Sequence, residues 1–434
     1  MSNRGKGKIC LYIEPYVHVN IKNNDILLYN TLDGQQLVYE NSPAIAALLR
    51  RMMSPQNLNA IIEENTIQED ENLHEFLETG RNKQLIDWYC YSKEDSSHKK
   101  PVSMPALLNF HRDREKMARD PERDRGQDII NYLHKLDIYI NCYRYNQYNS
   151  PLFKEGYKQF LFPYSLEEYN ELKLAGIQRL LEQVKEIGLC RITVLGGNIF
   201  QYKELEDLVD FLAQLPLKKE LGVFYKDITA DNLERVDWET LKDISLKIFV
   251  EPQFEKNQLV DCIELLKEFN ILSNVQFTIR SEADANGLDE AIDLLDPGQL
   301  SVKPFYNGKN YNFFKENIFI EKPDLSDPVV SKKEIYARSV MNPNAFGHIT
   351  VLSSGVVYSN INEEPIGTID MNVKQLLLNE LTEGRGWFRL RKDLVPCGSC
   401  IYQQICPPIS NYEYALSRDN LCWIQHDTGD KDNA

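Results

Sequence analysis

The residues best suited to chemistry lie near the C-terminus. In "CGSCIYQQIC" they run Cys397-x2-Cys400-x5-Cys406, and Cys422 follows sixteen residues on, so four of the nine cysteines fall within 26 residues. Two thiolates separated by two residues can converge on one metal, because the tight turn between them aims its N–H groups at the sulfurs. The small pair Gly398-Ser399 suits such a turn. Four thiolates satisfy either a 4Fe–4S cluster or a tetrahedral zinc, and soft sulfur suits both. The other five cysteines, Cys10, Cys90, Cys142, Cys190 and Cys262, stand singly. Clustered thiols in a reducing compartment read as a metal or cluster site before disulfides.

A second constellation follows two strand-like runs. After "DIYI" comes Cys142-x3-Asn146-x-Tyr148-Asn149, and after "RITVL" comes Gly196-Gly197-Asn198. A neutral carboxamide is a poor partner for iron, which favours anionic sulfur. A lone cysteine at a strand end packs as a small hydrophobe. The seven histidines are dispersed, and neither a His-Glu-x-x-His pair nor a phosphate-binding Gly-Lys-Ser/Thr loop is present.

The elements that must position these residues fall into three regions. Residues 1–92 begin with strand-like pieces, "ICLYIEPYVHVNI", "DILLYNT" and "QQLVYEN", joined by the turns "KNND" and "LDGQ". Ser42-Pro43 and Ser54-Pro55 each mark a helix start, the serine capping free N–H groups and the proline sitting where its missing N–H costs nothing. A third helix is expected in "ENLHEFLETGRNKQLIDWY". Three strands followed by three helices predict a small winged-helix-like domain. Residues 93–130 are dense in both charge signs and read as a linker with one exposed helix.

From residue 131 to 310 the pattern becomes strand, helix, strand, helix. Strands are expected at Asp137–Cys142, Arg191–Leu195, Leu221–Tyr225, Leu246–Val250, Val275–Ile279 and Gln299–Lys303. Ser165 and Glu168 match a capping box for the first helix, and Gly188 marks its end. Leu205, Leu208, Val209 and Leu212 make an apolar stripe at helical spacing, which is packing. Repeated β-α units imply an α/β fold with a parallel sheet, and six of them fit an open partial (β/α)6 barrel. Glu251, Arg280 and Lys303 are expected beside Asn198 as a polar barrel mouth. Residues 311–434 lose the rhythm: "HITVLSSGVVYSNI" predicts a hairpin turned at Ser354-Gly355, and a helix follows in "MNVKQLLLNEL".

Bulk properties narrow the function. The 434 residues exceed one ordinary core. Hydrophobic residues at 42% and charged residues at 26% are globular values. A net charge of −16 argues against a general nucleic-acid surface. No apolar run reaches the roughly 18 residues of a membrane span, and "MSNRGKGKIC" lacks the core of a secretory signal. Cytoplasmic location is the expectation.

Taken in order, these motifs resemble the radical SAM enzymes with a SPASM-type C-terminal extension, over about residues 131–425. The resemblance implies a catalytic cluster loop CxxxCxxC after the first barrel strand. Here two of its three thiolates are replaced, by Asn146 and Asn149. It implies Gly-Gly-Glu after the second strand, to hold the amino group of S-adenosylmethionine. Here the carboxylate is replaced by Asn198, which removes a charge-assisted partner. The extension of such enzymes carries Gly-x4-Cys and Cys-x2-Cys-x5-Cys-x3-Cys. Here Gly355 is followed at that distance by Asn360, and Cys406 by Ser410, so one auxiliary cluster has lost ligand positions while Cys397, Cys400, Cys406 and Cys422 remain.

The pattern closely resembles the pseudo-radical-SAM proteins, cluster-less partners of true radical SAM enzymes in peptide-modifying systems of the Gly-Gly type. That resemblance implies a non-catalytic subunit that pairs with a radical SAM maturase and handles a ribosomally made precursor peptide. It implies one 4Fe–4S cluster (or zinc) in the extension and no S-adenosylmethionine. The N-terminal domain is similar to leader-peptide recognition elements, which implies that a leader adds a strand to the edge Gln36, Leu37, Val38 and Tyr39, facing the helix "ENLHEFLETG". That helix and its flank are acidic (Glu63, Glu64, Glu69, Asp70, Glu71, Glu75, Glu78), which suits a basic peptide and disfavours DNA. Two other readings stand beside this one: an active iron–sulfur enzyme with atypical ligands, and a stand-alone zinc-stabilised binding protein.

Overall fold

A computed structural model describes residues 7–53, 60–63, 69–91, 129–187, 191–238, 241, 244–288, 295 and 299–424. The helix start at Ser54-Pro55, the linker up to residue 128, Gly188 and Cys190 lie outside the described residues.

The N-terminal region opens with β1 (Lys8–Ile13), β2 (Val17–Lys22), β3 (Asp25–Asn30) and β4 (Gln36–Tyr39). β2 and β3 meet at Asn23 and Asn24, whose φ of 50° and 73° match the hairpin turn type in which both central residues are left-handed. A helix then starts at Pro43 and runs to Met53. Two expected helical pieces are strands instead: β5 (Ala60–Glu63) and β6 (Ile86–Tyr91). The reason is tertiary. β1 lies between them, pairing Ile9 with Ile62 and with Cys90, so two β-rich runs complete a sheet in the order β5-β1-β6. The helix Glu71–Asn82 is real, capped by Asp70, whose carboxylate accepts the Leu73 N–H at 3.1 Å. It stops short of "IDWY", where Gln84 turns left-handed. The order is thus four strands, helix, strand, helix, strand, with β2-β3-β4 as a second sheet.

The central sheet comprises β7 (Lys135–Tyr139), then, after the short strands β8 (Tyr143–Arg144) and β9 (Ser165–Leu166), β10 (Arg191–Leu195), β11 (Lys218–Phe224), β12 (Ile244–Val250), β13 (Ser273–Ile279) and β14 (Leu300–Pro304). These six long strands are parallel and lie in chain order from β7 to β14. Side chains from all six line one cavity, so the sheet curls around a common interior. β15 (His348–Val351) adds in parallel beside β7, and β16 (Val356–Tyr358) and β17 (Gly367–Thr368) continue the sheet antiparallel. The β15–β16 turn carries Gly355 at φ 83°. The helix Val373–Thr382 forms as the sequence predicts.

One helix begins later than its capping pattern suggests. Ser165 lies in β9, which pairs with β8, and its hydroxyl donates to the Tyr148 carbonyl at 2.8 Å. The backbone is committed to that ladder, so the helix begins at Leu174. Capping boxes do form at Ser331/Glu334 and at Ser410/Glu413.

The small sheet β2-β3-β4 packs directly on the cysteine-rich extension. Leu27 and Tyr29 share a buried cluster with Tyr402, Ile405 and Cys406. Asn20 donates to the Ile401 carbonyl at 2.7 Å, and the Tyr29 hydroxyl accepts the Val330 N–H at 2.7 Å. Tyr29→Phe removes that acceptor from a fully buried seam. An orphaned buried N–H costs about 1–3 kcal/mol, so a lowered urea midpoint with unchanged m-value is expected.

Candidate functional site

The barrel mouth is where the first two strands end. Gly197 lies so close to the chain after β7 that a Cβ there would sit 2.1 Å from the Tyr143 nitrogen, and one at Gly196 would meet the Asn141 side chain at 2.0 Å. The Gly197 N–H donates to the Asn141 carbonyl at 3.1 Å, and the Asn141 amide donates to the Asn198 carbonyl at 2.7 Å. The double glycine is therefore required by close packing of two loops, whatever the site binds.

The Cys142, Asn146 and Asn149 positions differ sharply. Cys142 is buried, its sulfur accepting the Asn170 N–H at 3.3 Å, and burial pushes its thiol pKa up. Asn146 and Asn149 are exposed. Tyr148 between them turns onto rings: its centroid lies 4.1 Å from Tyr143, 4.7 Å from Phe153 and 5.6 Å from Phe224. Phe153 meets Phe162 at 5.3 Å, and Phe162 meets Phe249 at 5.6 Å. Tilted and edge-to-face rings thus form a contiguous stack in the upper half of the barrel.

Asn198 is buried and fully used. Its side-chain oxygen accepts the Phe200 N–H at 2.9 Å, and its amide donates to Asp227 at 2.9 Å. Tyr143 donates its hydroxyl to the other Asp227 oxygen. Burial raises the Asp227 pKa to about 7, against the lowering effect of the Tyr143 hydrogen bond. Of the other expected mouth residues, Glu251 takes Lys226 at 2.6 Å and Arg280 takes Asp284. Lys303 belongs to the cavity lining that also includes Lys135, not to Asn198. The open polar mouth anticipated from the sequence is replaced by paired charges and rings. Tyr143 and Asp227 were not anticipated; a buried aspartate just past a strand end was the available signal.

The four C-terminal cysteines gather differently. Cys397–Ser399 forms a short turn whose closing Cys400 N–H donates to the Cys397 carbonyl at 3.1 Å. A Cβ on Gly398 would meet the Lys392 carbonyl at 2.8 Å, so glycine is needed inside the turn. Cys397, Cys406 and Cys422 are buried and Cys400 is partly so. Burial drives the Cys406 thiol up to about 12 against the opposing Arg391, with Cys422, Cys397 and Cys400 near enough to act on it. The Cys422 sulfur accepts the Ile424 N–H at 3.2 Å. Among the described residues, no three His, Cys, Asp or Glu side chains close on a single-ion position.

Arg391 stands beside the thiols. Its guanidinium lies 3.9 Å from the Cys397 sulfur and 3.0 Å from Glu413, both partners buried. Arg338 donates to the carbonyls of Ile405 and Cys406. The four thiols thus lie beside a backbone N–H and a buried guanidinium, donors that favour negative charge on sulfur. Neither arginine was anticipated, since a lone arginine carries no sequence signal.

Asn360 and Ser410 line one cavity. The Asn360 amide donates to Asn411 at 2.8 Å, while Ser410 caps the helix Asn411–Ala415 through Glu413. Each position thus has hydrogen-bonding work of its own. In β4, Leu37 is buried and Tyr39 stands edge-on to Phe76 at 5.4 Å. Among the described residues β4 pairs with β3 alone, and Lys83 donates to the Gln36 carbonyl at 2.6 Å. Among the described residues no helix is long and apolar enough to cross a membrane.

No protein-family model and no curated protein matches the chain. Several solved structures are similar to it in outline. SuiB from Streptococcus suis bound to S-adenosylmethionine gives a TM-score of 0.46 at 14% identity, over 94% of this chain and 97% of that one. SuiB bound to precursor peptide SuiA gives 0.42 at 12%, over 96% and 99%. Native anSMEcpe with bound AdoMet and Cp18Cys peptide gives 0.43 at 14%, over 66% and 95%. At such identities and scores, what this chain does is decided by its own side chains.

Asp227 sets a pH dependence. Its folded pKa of about 7 exceeds the unfolded value of about 4, so the fold favours the protonated form. That contribution is complete below about pH 4 and is lost as pH rises through about 7. Asp227→Asn lacks the loss, so its stability relative to wild type should climb by up to about 4 kcal/mol between pH 4 and pH 8. Parallel urea-midpoint curves for the two proteins would refute the assignment.

Proposed function

We propose that this chain is the non-catalytic partner of a radical SAM peptide maturase, a degenerate barrel between a leader-recognition domain and a SPASM-like extension. The observation that carries the reading is the filled barrel mouth. Where a catalytic cluster would leave one iron open to S-adenosylmethionine, Tyr148, Phe153, Phe162, Phe224 and Phe249 form a contiguous stack. Asn198, in the position of the carboxylate that would hold the cosubstrate's ammonium, is occupied with Asp227 and the Phe200 N–H.

The extension keeps a different task. Cys397, Cys400, Cys406 and Cys422 would hold one 4Fe–4S cluster, with zinc the alternative, and such a centre supplies electron transfer or a structural brace. Arg391 balances the charge of the thiolates and is itself held by Glu413. Loading would release thiol protons, because burial holds the metal-free Cys397 and Cys406 thiols protonated.

Peptide binding falls to β4. A leader segment would add to its free edge by backbone hydrogen bonding, displacing the Lys83 ammonium from the Gln36 carbonyl, with Tyr39 and Phe76 as the neighbouring apolar surface. The exposed acids Glu75 and Glu78 on the facing helix favour a basic segment. Because β2-β3-β4 rests on the cysteine extension, peptide capture and the metal centre share one seam.

Anaerobic reconstitution tests the reading. The chain should take up roughly four irons and four sulfides, lose them in Cys406→Ser, and yield no 5′-deoxyadenosine from S-adenosylmethionine and a reductant. A second cluster, or reductive cleavage of the cosubstrate by the isolated chain, would overturn it. Stoichiometric zinc without sulfide would replace the cluster while leaving the scaffold role.

A further inference from the structure

The lower half of the barrel interior is built from charges rather than rings. In strands of the curled sheet every second side chain points inward, and these positions carry Lys135 and Asp137 on β7, Arg191 on β10, Glu220 on β11, Lys247 on β12 and Lys303 on β14. They line a cavity of about 430 Å³, closed on the extension side by Asn360, Ser410 and Tyr412. Its described lining holds four basic side chains and two carboxylates, a surplus of two positive charges. That surplus sits inside a chain whose net charge is −16.

The carboxylates do not neutralise it. Asp137 takes Lys135 at 2.9 Å and His348 at 2.7 Å on one oxygen. Burial would raise its pKa, but those two neighbours more than offset this and keep it ionised. Burial also lowers the His348 pKa, so the imidazole adds no charge near neutrality. Glu220 stands among the other lining charges and acts on Lys247. Burial lowers the Lys247 pKa; of the charges beside it Glu220 acts most strongly and favours the ammonium, Asp137 assists, and Lys135 and Lys303 oppose it. With Lys135 committed to Asp137, the lining still carries more cations than carboxylates, and a half-buried ammonium in such a set gains from an added anion.

We propose that this floor cavity binds a small oxyanion of charge two or more, of phosphate to tricarboxylate size. Lys247 and Lys303 supply point-charge contacts and Arg191 a planar donor fork. The site is separate from the barrel mouth and from the four cysteines, and its occupancy does not depend on whether the chain cleaves S-adenosylmethionine. The two positions that the sequence reading assigned to a lost auxiliary cluster form part of its wall, so the space between barrel and extension would hold a soluble anion.

Calorimetry on the full-length chain at constant ionic strength decides it, with inorganic phosphate and citrate as probes and acetate as the monovalent control. Saturable binding of phosphate or citrate, but not acetate, is expected, and the preferred probe separates an inorganic from a carboxylate source. Lys303→Gln, an exposed position whose change cannot unfold the core, should weaken that binding about tenfold or more. Lys247→Met should abolish the ligand-induced rise in melting temperature while raising the melting temperature of the ligand-free protein. Lys226→Gln, at the mouth, should leave binding unchanged. Equal, non-saturable response to all three anions, or binding indifferent to both Lys303→Gln and Lys247→Met, would overturn the proposal.

Discussion

A curled parallel sheet must fill its own interior, because alternate side chains of every strand point into it. In this protein the filling is split by height. Near the strand C-termini, Phe224 and Phe249 meet Phe153, Phe162 and Tyr148 in a continuous aromatic stack. Below them, Asp137, Glu220, Lys247 and Lys303 leave a charged cavity. Rings occupy part of the half of such a barrel where parallel-sheet proteins ordinarily bind ligands. The charged half differs, since lysine and carboxylate groups retain their hydration unless a partner replaces it.

The cysteine-rich extension is packed against the N-terminal sheet. Leu27 and Tyr29 lie in the same buried cluster as Cys406, and Asn20 reaches the carbonyl of Ile401 within the cysteine loop. The thiols themselves are flanked by the buried Arg391–Glu413 pair. Breaking one partner of such a pair leaves an uncompensated buried charge, so the order of the loop depends on a link between Arg391 and the helix that Ser410 caps. Ser410, by capping that helix, thereby supports the loop that carries the cysteines.

Much of the fold was legible because it is written in local periodicity. The strand at Arg191–Leu195 has its expected bounds, the other long barrel strands differ by a few residues at their ends, and the apolar stripe Leu205, Leu208, Val209 and Leu212 is buried as helical spacing requires. Errors arose where pairing overrode local preference. "IDWYCY" and the end of "QNLNAII" became strands because β1 offered both edges, and Ser165 joined a ladder instead of capping a helix.

By itself the sequence determined the chain order of the long parallel strands, the close spacing of the four C-terminal cysteines and the presence of amides at Asn146 and Asn149, since these depend only on residue type and spacing. Tertiary structure alone decided what fills the barrel and what surrounds the thiols. Arg391 meets Glu413 22 residues distant, Tyr143 meets Asp227 84 residues distant and Tyr29 meets Val330 301 residues distant. Long-range contacts of that kind leave no periodic trace, because packing selects them from shape and charge after the strands have been brought side by side.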